Sequence, residues 1–254
     1  MGMLVVGAGT AAAGDLPTPA FDPVAPAIFA PTWTGWYVGI NAGAVWSSED
    51  VAWLASGGFN ALGADNVDFS SPGHIHSTGF TGGGQLGYNL QVQSLLVGLE
   101  ADLEYTGING SRSFLSPVLA NPYTQSVRSD WLSTIRGRAG LAYGPWLLYG
   151  TGGLAIAQLH FTDLFLGTHG AGPINSSVSD TRLGWTAGAG VEFGFAAAWS
   201  AKLEYLHADF GSVSDVGASL INSARITHVH RVTEDIARLG INYRWGGGPV
   251  VAGY

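Results

Sequence analysis

From Thr34 onward, apolar and polar residues alternate almost without a break. Trp36, Val38, Ile40, Ala42, Ala44 and Trp46 are apolar, and Tyr37, Gly39, Asn41 and Gly43 fall between them. A period of two puts the two sets on opposite faces of an extended strand. At about 3.3 Å per residue and a tilt near 40°, the ten residues between the two tryptophans climb roughly 25 Å, the height of the apolar band of a membrane barrel.

The same pattern recurs in Phe80–Val92, Leu95–Tyr105, Trp131–Tyr143, Leu183–Phe195, Trp199–Tyr205 and Leu239–Trp245. Trp146–Leu159 has the composition of a strand but less distinct faces, and it completes eight. The gaps near 47–78, 107–129, 160–181 and 211–231 are long, polar and rich in Gly, Ser and Asn; those at Gln93-Ser94, Gly144-Pro145 and 196–198 are tight. Strict alternation of long and short connections is the asymmetry of bacterial barrels, whose surface loops are long and periplasmic turns short. The expectation is an all-β, eight-stranded, antiparallel up-and-down transmembrane β-barrel over residues 34–245, with both termini periplasmic.

A soluble eight-stranded barrel would show the same alternation with the apolar set inside. Two features favour the membrane form. Glycine recurs on the polar face (Gly39, Gly43, Gly83, Gly87, Gly184, Gly188, Gly190), which suits a narrow lumen and gains nothing on a solvated surface. The charges fall on that same face and look paired: Glu100, Asp102 and Glu104 on one strand, Arg136 and Arg138 on the next. An interior ion-pair network is therefore expected, extended by Arg182, Glu192, Lys202, Glu204, Arg238 and Arg244. Trp36, Trp46, Tyr88, Tyr105, Trp131, Tyr143, Trp185, Trp199, Tyr205, Tyr243 and Trp245 are the expected membrane-interface aromatics.

Composition agrees. Charged residues are 11% of the 254, well below the roughly 25% of a soluble domain, and glycine (39) is about double its usual share. Beyond the first dozen residues no apolar run approaches the roughly 18 that a spanning helix needs. The net charge of -8 argues against nucleic acid, and the absence of cysteine excludes disulfides and thiol chemistry. Residues 1–13 read as the remnant of a secretory signal peptide ending near Ala11-Ala12-Ala13, without the usual basic start. Residues 14–33, with five prolines, read as an extended periplasmic spacer, and 246–254 as a C-terminal tail.

The opening strand, Trp33-Thr34-Gly35-Trp36-Tyr37-Val38-Gly39-Ile40-Asn41-Ala42-Gly43, resembles that of the alphaproteobacterial 25/31-kDa outer-membrane proteins, opacity-like members of the porin-family outer-membrane β-barrels. Thr78-Gly79-Phe80-Thr81-Gly82-Gly83-Gly84-Gln85-Leu86-Gly87-Tyr88-Asn89, Gly98-Leu99-Glu100-Ala101-Asp102, Leu148-Tyr149-Gly150-Thr151-Gly152-Gly153 and Arg238-Leu239-Gly240-Ile241-Asn242-Tyr243-Arg244-Trp245 extend the likeness over most of 33–254. The resemblance implies a structural barrel and surface antigen that supports envelope integrity. It also implies the partners: outer-membrane lipid and lipopolysaccharide, the barrel-assembly machinery, and other envelope or host surfaces. Such barrels usually end on an aromatic, whereas here Trp245 is followed by nine residues up to Tyr254.

Other chemistry is thinly supported. His74/His76 and His228/His230 form two His-x-His pairs in expected loops, weak candidates for a metal or haemin against a reading as plain loop histidines. His160, Ser200, His207 and Asp209 lie near strand ends, but no spacing joins a nucleophile to a base. The glycine triplets 82–84 and 246–248 lack the Lys-Ser/Thr and helix of a phosphate loop. The expectation is a non-enzymatic barrel without cofactor, with a small-solute channel or a haemin/metal receptor as alternatives.

Overall fold

The computed structural model describes residues 32–56, 74–115, 122–166, 173–218 and 225–245. The signal-peptide remnant, most of the spacer and the tail lie outside these residues. Eight antiparallel strands follow in chain order: β1 (Gly35–Ser56), β2 (His74–Val92), β3 (Leu95–Leu115), β4 (Pro122–Tyr143), β5 (Trp146–Leu166), β6 (Pro173–Gly194), β7 (Trp199–Ala218) and β8 (Arg225–Trp245). Each pairs with the next, and β8 pairs with β1 from Trp36–Trp245 to Ser56–Arg225, closing the barrel.

Gln93-Ser94, Gly144-Pro145 and 196–198 are the tight turns at one end, called here the short-turn end. At the other end the expected long loops are corrected. The strands run on through about half of 47–78 and most of 107–129, 160–181 and 211–231, leaving 57–73, 116–121, 167–172 and 219–224 between them. Bulges at Tyr105/Ile108, Ser129/Leu132 and Asp209/Ser212 mark the level where this extension begins.

The polarity of the wall inverts at that level. Below it, the outer face is apolar, with Ile40, Leu99 and Leu239 between 65 and 70% exposed, while Glu100 and Arg136 inside are at most 1% exposed. Above it, Asp50, His76, Asn109, Ser111, Thr162 and Ser179 face outward. Val45, Ile75, Ile108, Val127, Leu159, Phe161, Val232 and Ile236 are buried inside in one apolar cluster. A strand section in hydrocarbon must turn its apolar face out, and one in water must turn it in. The lipid-facing band thus runs from Trp36 to Trp46 on β1 and from Ala237 to Trp245 on β8.

Above the band the barrel is no longer paired all round. The β2–β3 ladder ends at Thr81–Thr106 and the β6–β7 ladder at Trp185–Asp209, while the other ladders continue. Ladders persist within two groups of four strands, β7-β8-β1-β2 and β3-β4-β5-β6, and the apolar cluster fills the space they enclose.

Glu234 sits at the base of this layer, wholly buried and flanked on β8 by Val232 and Ile236. Burial pushes its pKa up to about 7, with the Ser129 hydroxyl as the opposing influence. A carboxyl whose folded pKa is raised destabilises the fold as the unfolded chain ionises, from its ordinary value near 4.5 up to about 7. Urea unfolding in detergent micelles should therefore show stability falling between about pH 4.5 and 7 and level beyond. Glu234→Gln should flatten this segment; an unchanged pH profile in the variant would contradict the assignment.

A filled barrel interior as the candidate functional site

Inside the lipid-facing band, cross-strand register brings opposite charges together. Glu100 lies opposite Arg136, Glu192 opposite Lys202 and Glu204 opposite Arg238. Arg136 is the hub. Its Nη2 donates to Glu100 Oε1 at 2.5 Å and Asp102 Oδ2 at 2.7 Å, its Nη1 to Glu204 Oε1 at 3.1 Å, and its Nε to the Thr134 hydroxyl at 2.9 Å. Arg238 donates to Glu204 Oε2 through Nε (2.8 Å), reaches Asp102 through Nη2 (3.2 Å), and pairs with Glu104. Lys202 Nζ reaches Glu100 at 3.1 Å, and Arg138 bridges Glu192 (2.9 Å) and Glu100 (3.3 Å).

Five carboxylates (Glu100, Asp102, Glu104, Glu192, Glu204) thus face four cations (Arg136, Arg138, Lys202, Arg238). Neutral donors meet the excess acceptors. Tyr37 donates to Glu100 (2.7 Å), Tyr149 to Glu204 (3.0 Å), Thr81 to Glu104 (2.9 Å), and Ser200 and Asn242 to Glu192 (2.5 and 2.8 Å). The Arg138 guanidinium lies 4.0 Å from the centre of the Tyr149 ring, a cation–π contact. The two tyrosine rings need the glycines beneath them: a Cβ on Gly87 would fall 2.3 Å from Tyr37, and one on Gly190 2.5 Å from Tyr149.

The short-turn mouth is corked. Trp33, expected to belong to the extended spacer, is fully buried with Leu96, Ala142, Leu147 and Tyr149. Its backbone N–H donates to Gln91 Oε1 (2.9 Å), Gln91 N–H donates to the Thr34 hydroxyl (2.9 Å), and the Arg244 guanidinium lies 4.2 Å over its ring. Arg244, expected in the network, instead donates to the Thr32 carbonyl at 3.3 Å at this mouth. Arg182 is likewise corrected. It sits ten residues up β6 from Glu192, about 33 Å of strand, and pairs with Asp180 at 2.8 Å.

The interface aromatics form two girdles. Trp36, Tyr88, Tyr143, Trp199, Tyr243 and Trp245 are exposed towards the short-turn end, Trp46, Tyr105, Trp185 and Tyr205 at the far rim. Trp131 is half-buried on that rim, its indole N–H donating to Gln158 at 2.8 Å. Sequence reasoning passed over Trp146, half exposed in the lower girdle, and the interior roles of Trp33, Tyr37 and Tyr149. Tyr37 and Tyr149 could have been suspected from phase, since each is a large residue on a glycine-rich inner face.

The two His-x-His pairs are on strands, β2 and β8, and not in loops. His76 points outward on β2 beside Ser48 (3.2 Å), whereas His230 on β8 is buried between Glu49 (2.5 Å) and Asp163 (3.5 Å), stacked on Phe161. The side chains of His74 and His228 lie outside the description. β1 separates the two strands, and the described residues hold no group of three or more metal-ligating side chains. Ser200 is inside the barrel, while His207 stands on the outer rim with Asp235 (2.8 Å) and the Trp185 ring. Asp209 pairs with Arg231 at 2.9 Å and His160 with Asp130 at 3.4 Å, so these four residues do not assemble.

Removing one partner of a buried pair leaves the other uncompensated, at roughly 3–5 kcal/mol. Arg136→Ala should lower the unfolding free energy by about that amount. Arg182→Ala, at a partly exposed pair, should change it by no more than about 1 kcal/mol. Urea titrations of both variants check the contrast, and equal effects would refute it.

The chain is similar to known proteins in sequence. The family described as outer membrane protein beta-barrel domain matches residues 2–244. The 31 kDa outer-membrane immunogenic protein of Brucella melitensis biotype 1 is 32% identical over 223 residues, covering 84% of each chain. The 22 kDa outer membrane protein of Rhizobium leguminosarum bv. viciae is 36% identical over 145 residues, covering 57% of this chain and 58% of that one. Among solved structures, the outer membrane protein OprG from Pseudomonas aeruginosa aligns with a TM-score of 0.49 at 13% identity, over 85% of this chain and 100% of that one.

Proposed function

The chain belongs to the outer membrane protein β-barrel domain family, and we propose that it is a closed, non-conducting structural barrel and surface antigen that supports envelope integrity. The filled interior carries this reading. The corked mouth, the ion-pair layer and the apolar layer follow one another along the axis, and each occupies the lumen with side chains. A transport path would require taking apart pairs whose members are buried on every side. Its Brucella relatives are outer-membrane immunogenic proteins, in keeping with a surface antigen.

In this reading both termini and the short turns are periplasmic. The extension, polar on its outer face, stands outside the cell, where outer-membrane lipid gives way to lipopolysaccharide sugars. Its outer face, rich in hydroxyl side chains such as Ser111, Thr162, Ser177 and Ser179, suits a carbohydrate layer. The Trp245 end of β8 and the lipid band are the parts the assembly machinery would handle. The alternatives fare less well: the channel lacks a lumen, and the receptor lacks convergent histidines among the described residues.

Two measurements test the reading. In planar bilayers the purified protein should give no stepwise conductance above background, and steady ohmic steps would refute the closed barrel. Because the chain has no cysteine, single replacements report topology. Ser111→Cys should react with a membrane-impermeant maleimide on intact cells, and Ser94→Cys only after the outer membrane is permeabilised. The reverse pattern would invert the orientation.

A further inference from the structure

The β6–β7 ladder ends at Trp185–Asp209, although β6 extends back to Pro173 and β7 on to Ala218. Each stays paired on its other side, β6 with β5 up to Leu166–Pro173 and β7 with β8 up to Ala218–Arg225. Two strand edges therefore face one another across a seam above the lipid band. A groove of about 410 Å³ lies at the fork, lined by Leu183, Trp185, Asp209, Phe210 and Arg231.

Two hydrogen bonds fix the backbone direction at this edge. Gly194 N–H donates to the Pro145 carbonyl (2.8 Å) on the β5 side, and Phe195 N–H to the Trp199 carbonyl (3.2 Å) on the β7 side. In an antiparallel sheet successive residues turn their peptide groups to opposite neighbours. The β5–β6 register runs without a shift, so the alternation holds along the whole strand. Even-numbered residues of β6 serve β5, and Asn175, Ser177, Ser179 and Thr181 turn N–H and C=O to the seam, where no ladder among the described residues receives them. The side chains of these four face water. No lysine interrupts the edge, and its one proline, Pro173, is at the far end.

We infer that this seam is a docking site for an extended peptide segment of a protein partner, taken up by strand addition to the β6 edge. The backbone selects the occupant. Donors and acceptors recurring every second residue, about 6.7 Å apart, match another peptide in extended form, and neither a lipid headgroup nor a sugar has that repeat. Inward-pointing residues of the added strand would lie beside Val178 and the Asp180–Arg182 pair, with Phe210 at the fork, so its alternate positions are small, apolar only beside Val178, and the rest polar. The biological use of the site rests on the outward orientation proposed above; the binding itself does not.

The test uses the intact protein in detergent micelles, with amide exchange read residue by residue. Residues 175, 177, 179 and 181 should exchange much faster than 176, 178 and 180, a period-two pattern peculiar to a half-paired strand. The probe is a fluorescent peptide of about ten alternating Thr and Val residues with lysine at each end. It should bind saturably and slow exchange at the odd-numbered amides. The same peptide N-methylated at alternate residues should bind at least about tenfold more weakly. So should the unmodified peptide to the Ser177→Pro/Thr181→Pro variant, with the Ser177→Ala/Thr181→Ala variant unaffected. Equal exchange at odd and even amides, equal binding of the N-methylated peptide, or no saturable binding would overturn the inference. None of these outcomes bears on conductance or on maleimide labelling, so failure here is separable from failure of the closed-barrel reading.

Discussion

In hydrocarbon an unpaired peptide group has no water to turn to, and each one left open costs several kcal/mol. Eight strands meet this demand only by closing on themselves, and closure at eight leaves a lumen just wide enough for side chains. The rest of the interior follows. The strands must turn apolar residues out to lipid, so their alternate residues, polar by the same pattern, are forced together inside. Among the described residues, the resulting network draws on all eight strands, from Tyr37 on β1 and Thr81 on β2 round to Tyr149 on β5, Glu192 on β6 and Arg238 on β8.

Such a network is weak evidence for extra stability, since desolvating the ions offsets much of their attraction. Its firmer consequence is register. A slip of one residue between β3 and β4 that flips β4 would turn Arg136 and Arg138 out into lipid and bring Ile135 and Ala139 into the ion layer. The charges therefore act as a key that admits one pairing of neighbouring strands. The glycines under Tyr37 and Tyr149 are part of that key, because the rings fit only where a neighbouring strand has no side chain.

The same eight strands answer to a different solvent above the band. There the apolar residues move inside, two of the ladders end, and burial of Phe161, Ile108 and Ile236 replaces lipid contact as the source of cohesion. Closure of every ladder is no longer compulsory, because water satisfies an open edge. The lower part is committed to integrity, and the upper part is free to present edges and surfaces.

Much of the architecture was written in the sequence. The period-two pattern determined the eight strands, the short turns, the faces and which charges share the lumen, because alternation is a local property and one face must meet lipid. Position along the axis was not legible. Arg182 shares the phase of Glu192 but lies ten residues higher, and Arg244 lies below the ion layer; which charges meet depends on the stagger of neighbouring strands, and that appears only once the barrel is closed. The strand extensions looked like loops because their polar face is the outer one, reversing the pattern on either side. Trp33 gave no periodic signal, since it precedes the first strand and acquires its place only from the mouth it fills. Alternation along a chain specifies sides, whereas heights, partners and open edges arise when separate strands are brought into register, and those belonged to the tertiary structure alone.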